Sequence, residues 1–187
     1  MFFKKTLFMM SWVVLWQLSG CASLSQEECQ QGDWRNIGYN DGAQGYQAER
    51  FSEHQKACSE YKIRPDFSLY KQGHDNGIVS YCRPNNGYDV GQRLNSYEGV
   101  CPSHLENAFL EAYLDGLAAT YRSNQTTLNS KNSEYRRLTA LLSASREEKI
   151  RRNIQEQLKT LNNEIEQLES KQETATNLRN RAESALR

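Results

Sequence analysis

Few side chains in this 187-residue chain could do chemistry. Two of its three histidines stand near a cysteine: His54 lies four residues before Cys58, and His104 three after Cys101. Such spacings can serve a metal, but neither forms the paired C-x-x-C of structural zinc sites. A second constellation is a carboxylate–histidine set drawn from Asp33, His54, Asp66 and His74. Such groups support hydrolysis when burial raises one pKa, so that one member donates a proton while another accepts one. Most of these residues are expected on solvated faces or at helix caps. The chain also has no nucleophile elbow, zinc-binding helix or phosphate loop. No enzyme activity, catalytic residue, metal or cofactor is expected.

The fifth cysteine is read differently. Lys4 and Lys5 give a positive N-terminal end, and Leu7 to Leu18 form an apolar run interrupted by Ser11 and Gln17. That run is well short of the roughly 20 residues a spanning helix needs, and fits a secretory signal. Directly after it, Leu18-Ser19-Gly20-Cys21 resembles the lipobox of bacterial lipoproteins. The resemblance implies a signal peptide over 1–20, cleavage before Cys21, and a diacylglycerol on its thiol. Two acyl chains hold a protein at a membrane where one does so only marginally. The resemblance further implies the outer membrane, facing the periplasm, because Ala22 stands where Asp retains enteric lipoproteins in the inner membrane.

With Cys21 set aside, Cys29, Cys58, Cys82 and Cys101 remain. An even set in an exported chain predicts two disulfides. Charge divides the mature chain: residues 22–121 carry 8 Lys/Arg against 14 Asp/Glu, and residues 122–187 carry 13 against 9. The charges of the second part are interleaved by sign, which is not a nucleic-acid footprint.

The elements that would position these residues are helical, so the fold expected is all-α: a small disulfide-braced helical head followed by a long helix or helical hairpin. The organisation expected is a lipidated N-terminus and linker over 21–33, a helical domain over 34–121, and a coiled-coil extension over 122–187. The extension has no Gly, Pro or Cys and is rich in helix formers. Ile154, Leu158, Leu161, Ile165 and Leu168 follow the 4-3 spacing of a helical seam, and Leu128, Tyr135, Leu138 and Leu142 make a second seam out of register with it. A break is expected at 143–148, where Ser145 and Glu148 can form a capping box. Either the two seams face each other in a hairpin, the slightly preferred arrangement, or one kinked helix oligomerises.

The head holds nine of the ten tyrosines and a weak repeat: Tyr39-Asn40-Asp41-Gly42, Tyr70-Lys71-Gln72-Gly73, Tyr88-Asp89-Val90-Gly91 and Tyr113-Leu114-Asp115-Gly116. Glycines recur four apart at 38/42, 73/77 and 87/91, making smooth strips where another helix can approach. The pattern predicts a helix from about Trp34 to Lys56, a second capped by Asp66 and reaching about Tyr81, and a short helix or compact loop over 83–100. A further helix, with Ser103 and Glu106 as a capping box, is expected through Tyr121. If the first two helices are antiparallel, Cys29 lies near Cys82 and Cys58 near Cys101, the weakly preferred pairing. If 83–100 returns to its start, Cys82–Cys101 is the rival.

Cys29 with Gly32-Asp33-Trp34, Ile37-Gly38, Asp41-Gly42, His54 with Ala57-Cys58, Pro65-Asp66, Tyr81-Cys82, Asn86-Gly87-Tyr88 and Gly99-Val100-Cys101-Pro102 together resemble an uncharacterised family of bacterial envelope lipoproteins. It is a domain-of-unknown-function family, often with a helical C-terminal extension. The resemblance covers roughly 21–120, implies envelope location and supplies no activity. The functional expectation is a non-catalytic protein, bound to the membrane through Cys21, that associates with a protein partner or itself through 122–187. The alternative is a head that binds peptidoglycan or another glycan through Tyr and Trp beside Asp, Asn and Gln.

Overall fold

The computed structural model describes residues 23–187. The expected signal peptide, the lipobox and Cys21 lie outside the described residues. Those that are described form seven α-helices and one 3-10 turn, with no strand among them. Within the stretch expected as a linker, Leu24 is buried and a short helix, α1 (Gln26–Gln31), is fixed by a capping box between Ser25 and Glu28. Helix α2 (Trp34–Ala43) starts at Asp33, whose carboxylate accepts from the Asn36 N–H.

The helix expected from Trp34 to Lys56 ends at Ala43. Gly45 sits at φ 80°, left-handed backbone that suits glycine, and a Cβ there would strike the Tyr81 ring. The chain turns, passes through the 3-10 turn Ala48–Arg50, and forms α3 (Phe51–Ser59). Asp66 then caps α4 (Phe67–Tyr81), accepting from the Ser68 and Leu69 N–H groups as expected.

Helices α2 and α4 pack through their glycines. A methyl on Gly73 would collide with the Arg35 carbonyl oxygen, and one on Gly38 with that of Tyr70. Gly38 faces Tyr70–His74, and Gly42 faces His74–Ile78. Moving along one helix therefore moves the same way along the other: the pair is parallel, not antiparallel.

The next two helices repeat this plan. Helix α5 (Pro84–Gln92) packs parallel against the start of α6 (Ser103–Ala144), with Gly87 against Phe109, Gly91 against Tyr113 and Gly116 against Tyr88. Aligned on these contacts, four segments share one pattern of a small residue, a ring, and a glycine four on: Gly38-Tyr39…Gly42, Gly73-His74…Gly77, Gly87-Tyr88…Gly91 and Ala112-Tyr113…Gly116. The head is thus two copies of a Cys–helix–loop–Cys–helix unit, and Tyr81 stacked on Phe109 at 5.2 Å joins them.

The duplication explains the disulfides. Cys29 is bonded to Cys58 and Cys82 to Cys101, so the weakly preferred Cys29–Cys82 and Cys58–Cys101 pairing is wrong and the rival is right. Each bridge ties the chain just before one helix of a pair to the chain just before its mate. Because the mates are parallel, their starts lie side by side; the turn at Gly45 brings Cys58 back to Cys29.

Helix α6 runs past Tyr121 without interruption and, after a break at 145–147, the chain returns as α7 (Glu148–Ala185). Neither expected capping box forms. Pro102 is the cap residue of α6, with Glu106 engaged by the Tyr97 hydroxyl, and Glu147 is that of α7. Arg151 closes the tip by donating to the carbonyls of Leu142 and Ser145. The two helices form a hairpin whose core is Leu128, Leu138, Ile154, Leu161 and Ile165, with Leu142, Leu158 and Leu168 beside it. Tyr135, expected in the seam, is exposed; nearby, Lys131 bridges to Glu164 at 2.6 Å. At the other end of α7, Ala182 is buried in the head cluster of Tyr81, Val90, Phe109, Leu110, Tyr113 and Leu117, with Leu178 and Leu186 packed on it.

Candidate functional site

The residues considered for catalysis do not converge. Asp33 and Asp66 are caps on the starts of α2 and α4, where a carboxylate satisfies free N–H groups and suits the helix dipole. His74 is buried, its Nε2 bonded to the Tyr46 carbonyl. Only His54 enters a cluster of interacting polar groups. Cys58 and Cys101, the possible metal ligands, are in disulfides, and the described residues hold no metal-competent cluster.

The cluster around His54 is built from four elements. His54 on α3 places Nε2 2.7 Å from Asp41 Oδ2 on α2. The Tyr70 hydroxyl on α4 donates to the same oxygen at 2.8 Å, and Arg50 Nε lies 3.3 Å from Oδ1. Arg50 also covers the Tyr46 ring at 3.9 Å. The other ring nitrogen, His54 Nδ1, is 2.9 Å from Ser23 Oγ, the first described residue. Sequence reasoning singled out His54 and missed Asp41, Tyr70, Arg50 and Ser23 as its company. The available signal was an acid, Asp41, inside a glycine-rich helical strip whose counterpart position in the second unit is Val90.

Electrostatics follow from burial and pairing. Burial alone would raise the Asp41 pKa; hydrogen bonds from His54 and Tyr70, with the His54 and Arg50 charges, outweigh it and hold the carboxyl below its ordinary range. Tyr70 moves strongly the other way, raised by burial and then by its bond to Asp41. In the second unit, burial pushes Tyr113 up to about 12.

Ser23, His54 and Asp41 in line have the roles of nucleophile, base and orienting carboxylate. The surroundings are those of a clasp. His54 is fully enclosed, Leu24 next to Ser23 is buried, and a groove of about 550 Å³ lies elsewhere, at the arm's base between Leu117, Tyr121, Ala175 and Arg179. The second unit shows what the scaffold alone requires. Where the first has Asp41 and Tyr70, it has Val90 and Phe109, and no helix like α3 between its cysteines. The polar cluster, without a counterpart in the second unit, joins α3 and the N-terminal segment to α2 and α4.

The fold is an all-α, disulfide-braced pair of duplicated helix pairs carrying a hairpin arm. Residues 33–118 match the family model described as "Protein of unknown function (DUF2799)". The match spans both helix pairs and leaves α1, the outer arm and α7 outside it. No curated protein and no solved structure matches the chain.

Proposed function

We propose that this chain is a lipid-anchored, non-catalytic protein of the bacterial envelope, carrying its duplicated head at the outer membrane and offering its arm to a protein partner. The leader and the Leu18–Cys21 box support the anchor. One observation carries the arm's role. Beyond the zipped seam, Leu141 and Ile150 flank the tip with 44% and 45% of their surface exposed. The arm rises about 35 Å from Arg122 to Ala144 at 1.5 Å per residue. Ile154, Leu158, Leu161, Ile165 and Leu168 are occupied by α6, so a partner or second copy meets the tip and outer faces rather than this seam.

Photo-crosslinkers at positions 141 and 150, in cells, test the reading. A specific adduct from both, and none from exposed Glu169 on the shaft, is expected; no adduct from either tip position refutes the arm's role. Cys21→Ser is expected to block processing and move the protein out of the membrane fraction. Unchanged fractionation refutes the anchor.

A second reading is glycan binding by the head. Tyr39 and Tyr88 occupy equivalent positions in the two units and stay exposed, at 42% and 37%. Each follows a glycine in an Asn-containing helix, where a ring can stack on a sugar and amides can meet hydroxyls. Retention on isolated peptidoglycan, lost in Tyr39→Ala with Tyr88→Ala, would favour it over the arm.

A further inference from the structure

The first described residues are clasped to the head. Ser23 bonds to His54, and Leu24 is buried with Cys29, Trp34, Cys58 and Tyr70. Cys21 lies two residues earlier in the sequence, and two residues of chain reach about 7 Å at most. A lipid on Cys21 therefore enters the bilayer close to Ser23, and the part of the head around Ser23 faces the headgroups.

That part has the chemistry for it. His54 lies one turn beyond Phe51, whose ring meets Phe67 at 5.0 Å. Phe67 opens α4 with 50% of its surface exposed. Just before it, Tyr61, Lys62 and Arg64 are exposed, while Ile63 packs into the same cluster as Leu24. The loop is held in shape by the Tyr61 and Ile63 N–H groups, both donating to the Cys58 carbonyl, with Lys62 at φ 60°. Tyrosine rings favour the headgroup layer, phenylalanine rings the boundary with the acyl chains, and Lys and Arg pair with lipid phosphates. Of the neighbouring acids, Glu27 and Glu60 are exposed, Glu28 is held by Ser25, Glu53 pairs with Arg50, and Asp66 is engaged as a cap.

We infer that Tyr61, Lys62, Arg64 and Phe67 form a membrane-contact surface that seats the head directly on the bilayer, the Tyr61 ring among the headgroups, the Phe67 ring at the acyl boundary and the cations on lipid phosphates. The inference rests on the lipid-anchor reading and adds an orientation to it. The opposite end of α4 then points away: exposed Val79 lies twelve residues on, about 18 Å along the helix.

The test uses the lipidated mature chain, 21–187, in vesicles of equal parts phosphatidylethanolamine and phosphatidylglycerol, with lipids brominated in the acyl chain. Phe67→Trp and Val79→Trp report depth, against a parent whose Trp34 is buried. Blue-shifted, quenched emission from position 67 and unquenched emission from 79 is expected, with the quenching at 67 reduced by Lys62→Glu plus Arg64→Glu. Flotation with the vesicles while position 67 stays unquenched overturns the seating and leaves the anchor standing; equal quenching at 67 and 79 overturns the orientation. A chain that neither carries lipid nor floats overturns the anchor, and the seating with it.

Discussion

Tyr70 and Phe109 occupy one position of the duplicated helix pair. Each lies three residues ahead of the first small residue of its motif, and neither exposes any surface. Each stacks on the ring four residues on, Tyr70 on His74 at 5.9 Å and Phe109 on Tyr113 at 6.3 Å. The difference is one hydroxyl, which in the first unit meets Asp41 and in the second would meet Val90.

Asp41→Val alone therefore leaves His54, Tyr70 and Arg50 facing an apolar side chain. It is expected to cost about 3–5 kcal/mol in urea unfolding. Adding Tyr70→Phe and His54→Leu should recover much of that loss, because the first unit then resembles the second. A triple variant no more stable than Asp41→Val would show that the network holds the fold and not merely the N-terminal segment.

Acid should loosen the first unit before the second. Asp41 has a folded pKa below its ordinary value of 3.8, so the stability it supplies is present above the unfolded pKa and is lost as pH falls below about 4. Amide exchange in α2 and α3 should rise there ahead of α5. Asp41→Asn, costing about 1–3 kcal/mol at neutral pH, should flatten that part of the acid response.

Helix propensity predicts that Gly73→Ala stabilises α4 by about 1 kcal/mol. The contact with Arg35 predicts the reverse, a loss of about 1–3 kcal/mol or more as the helices separate. Ala112 shows that the fourth motif tolerates a methyl, and Ala112→Gly should cost only about 1 kcal/mol. Thermal melts of the two variants separate packing from propensity.

Non-reducing peptide mapping should recover Cys29 with Cys58 and Cys82 with Cys101, across separations of 29 and 19 residues. Loops of this size give about 3 kcal/mol each, so replacing either pair by serines should lower stability by that order. A Cys29–Cys82 peptide would contradict the parallel helix pairs.

Removing 177–187 deletes Leu178, Ala182 and Leu186 from the head cluster. The truncated chain should lose protease resistance in the head and not only in the arm. Leu161→Ala, within the hairpin core, should cost about 2–5 kcal/mol and leave the head's near-ultraviolet signal intact.

The all-α class, the Asp66 cap, the end of α4 and the break after Ala144 were legible because each depends on a local pattern. Helix direction was not. Glycines four apart predict close approach for parallel and antiparallel partners alike, and the disulfide pairing hung on that choice. The overlong first helix had the same root: nothing local in Gln44-Gly45-Tyr46 announces that Tyr81 will press against the turn. Asp41, Arg50, Tyr70 and Ser23 stayed hidden as a group because tertiary packing, not spacing, brings them to His54. Tyr135 fits its seam by number alone, and the structure leaves it in solvent.

Both legs of the arm are rooted in one place, α6 through Phe109 and Leu117 and α7 through Ala182. A load applied near Ile150 cannot peel one leg away while the other stays put, since both deliver it to the same cross-linked cluster. The arm behaves as a strut with a fixed foot, and whatever its tip grips is held at a set distance and bearing from the head.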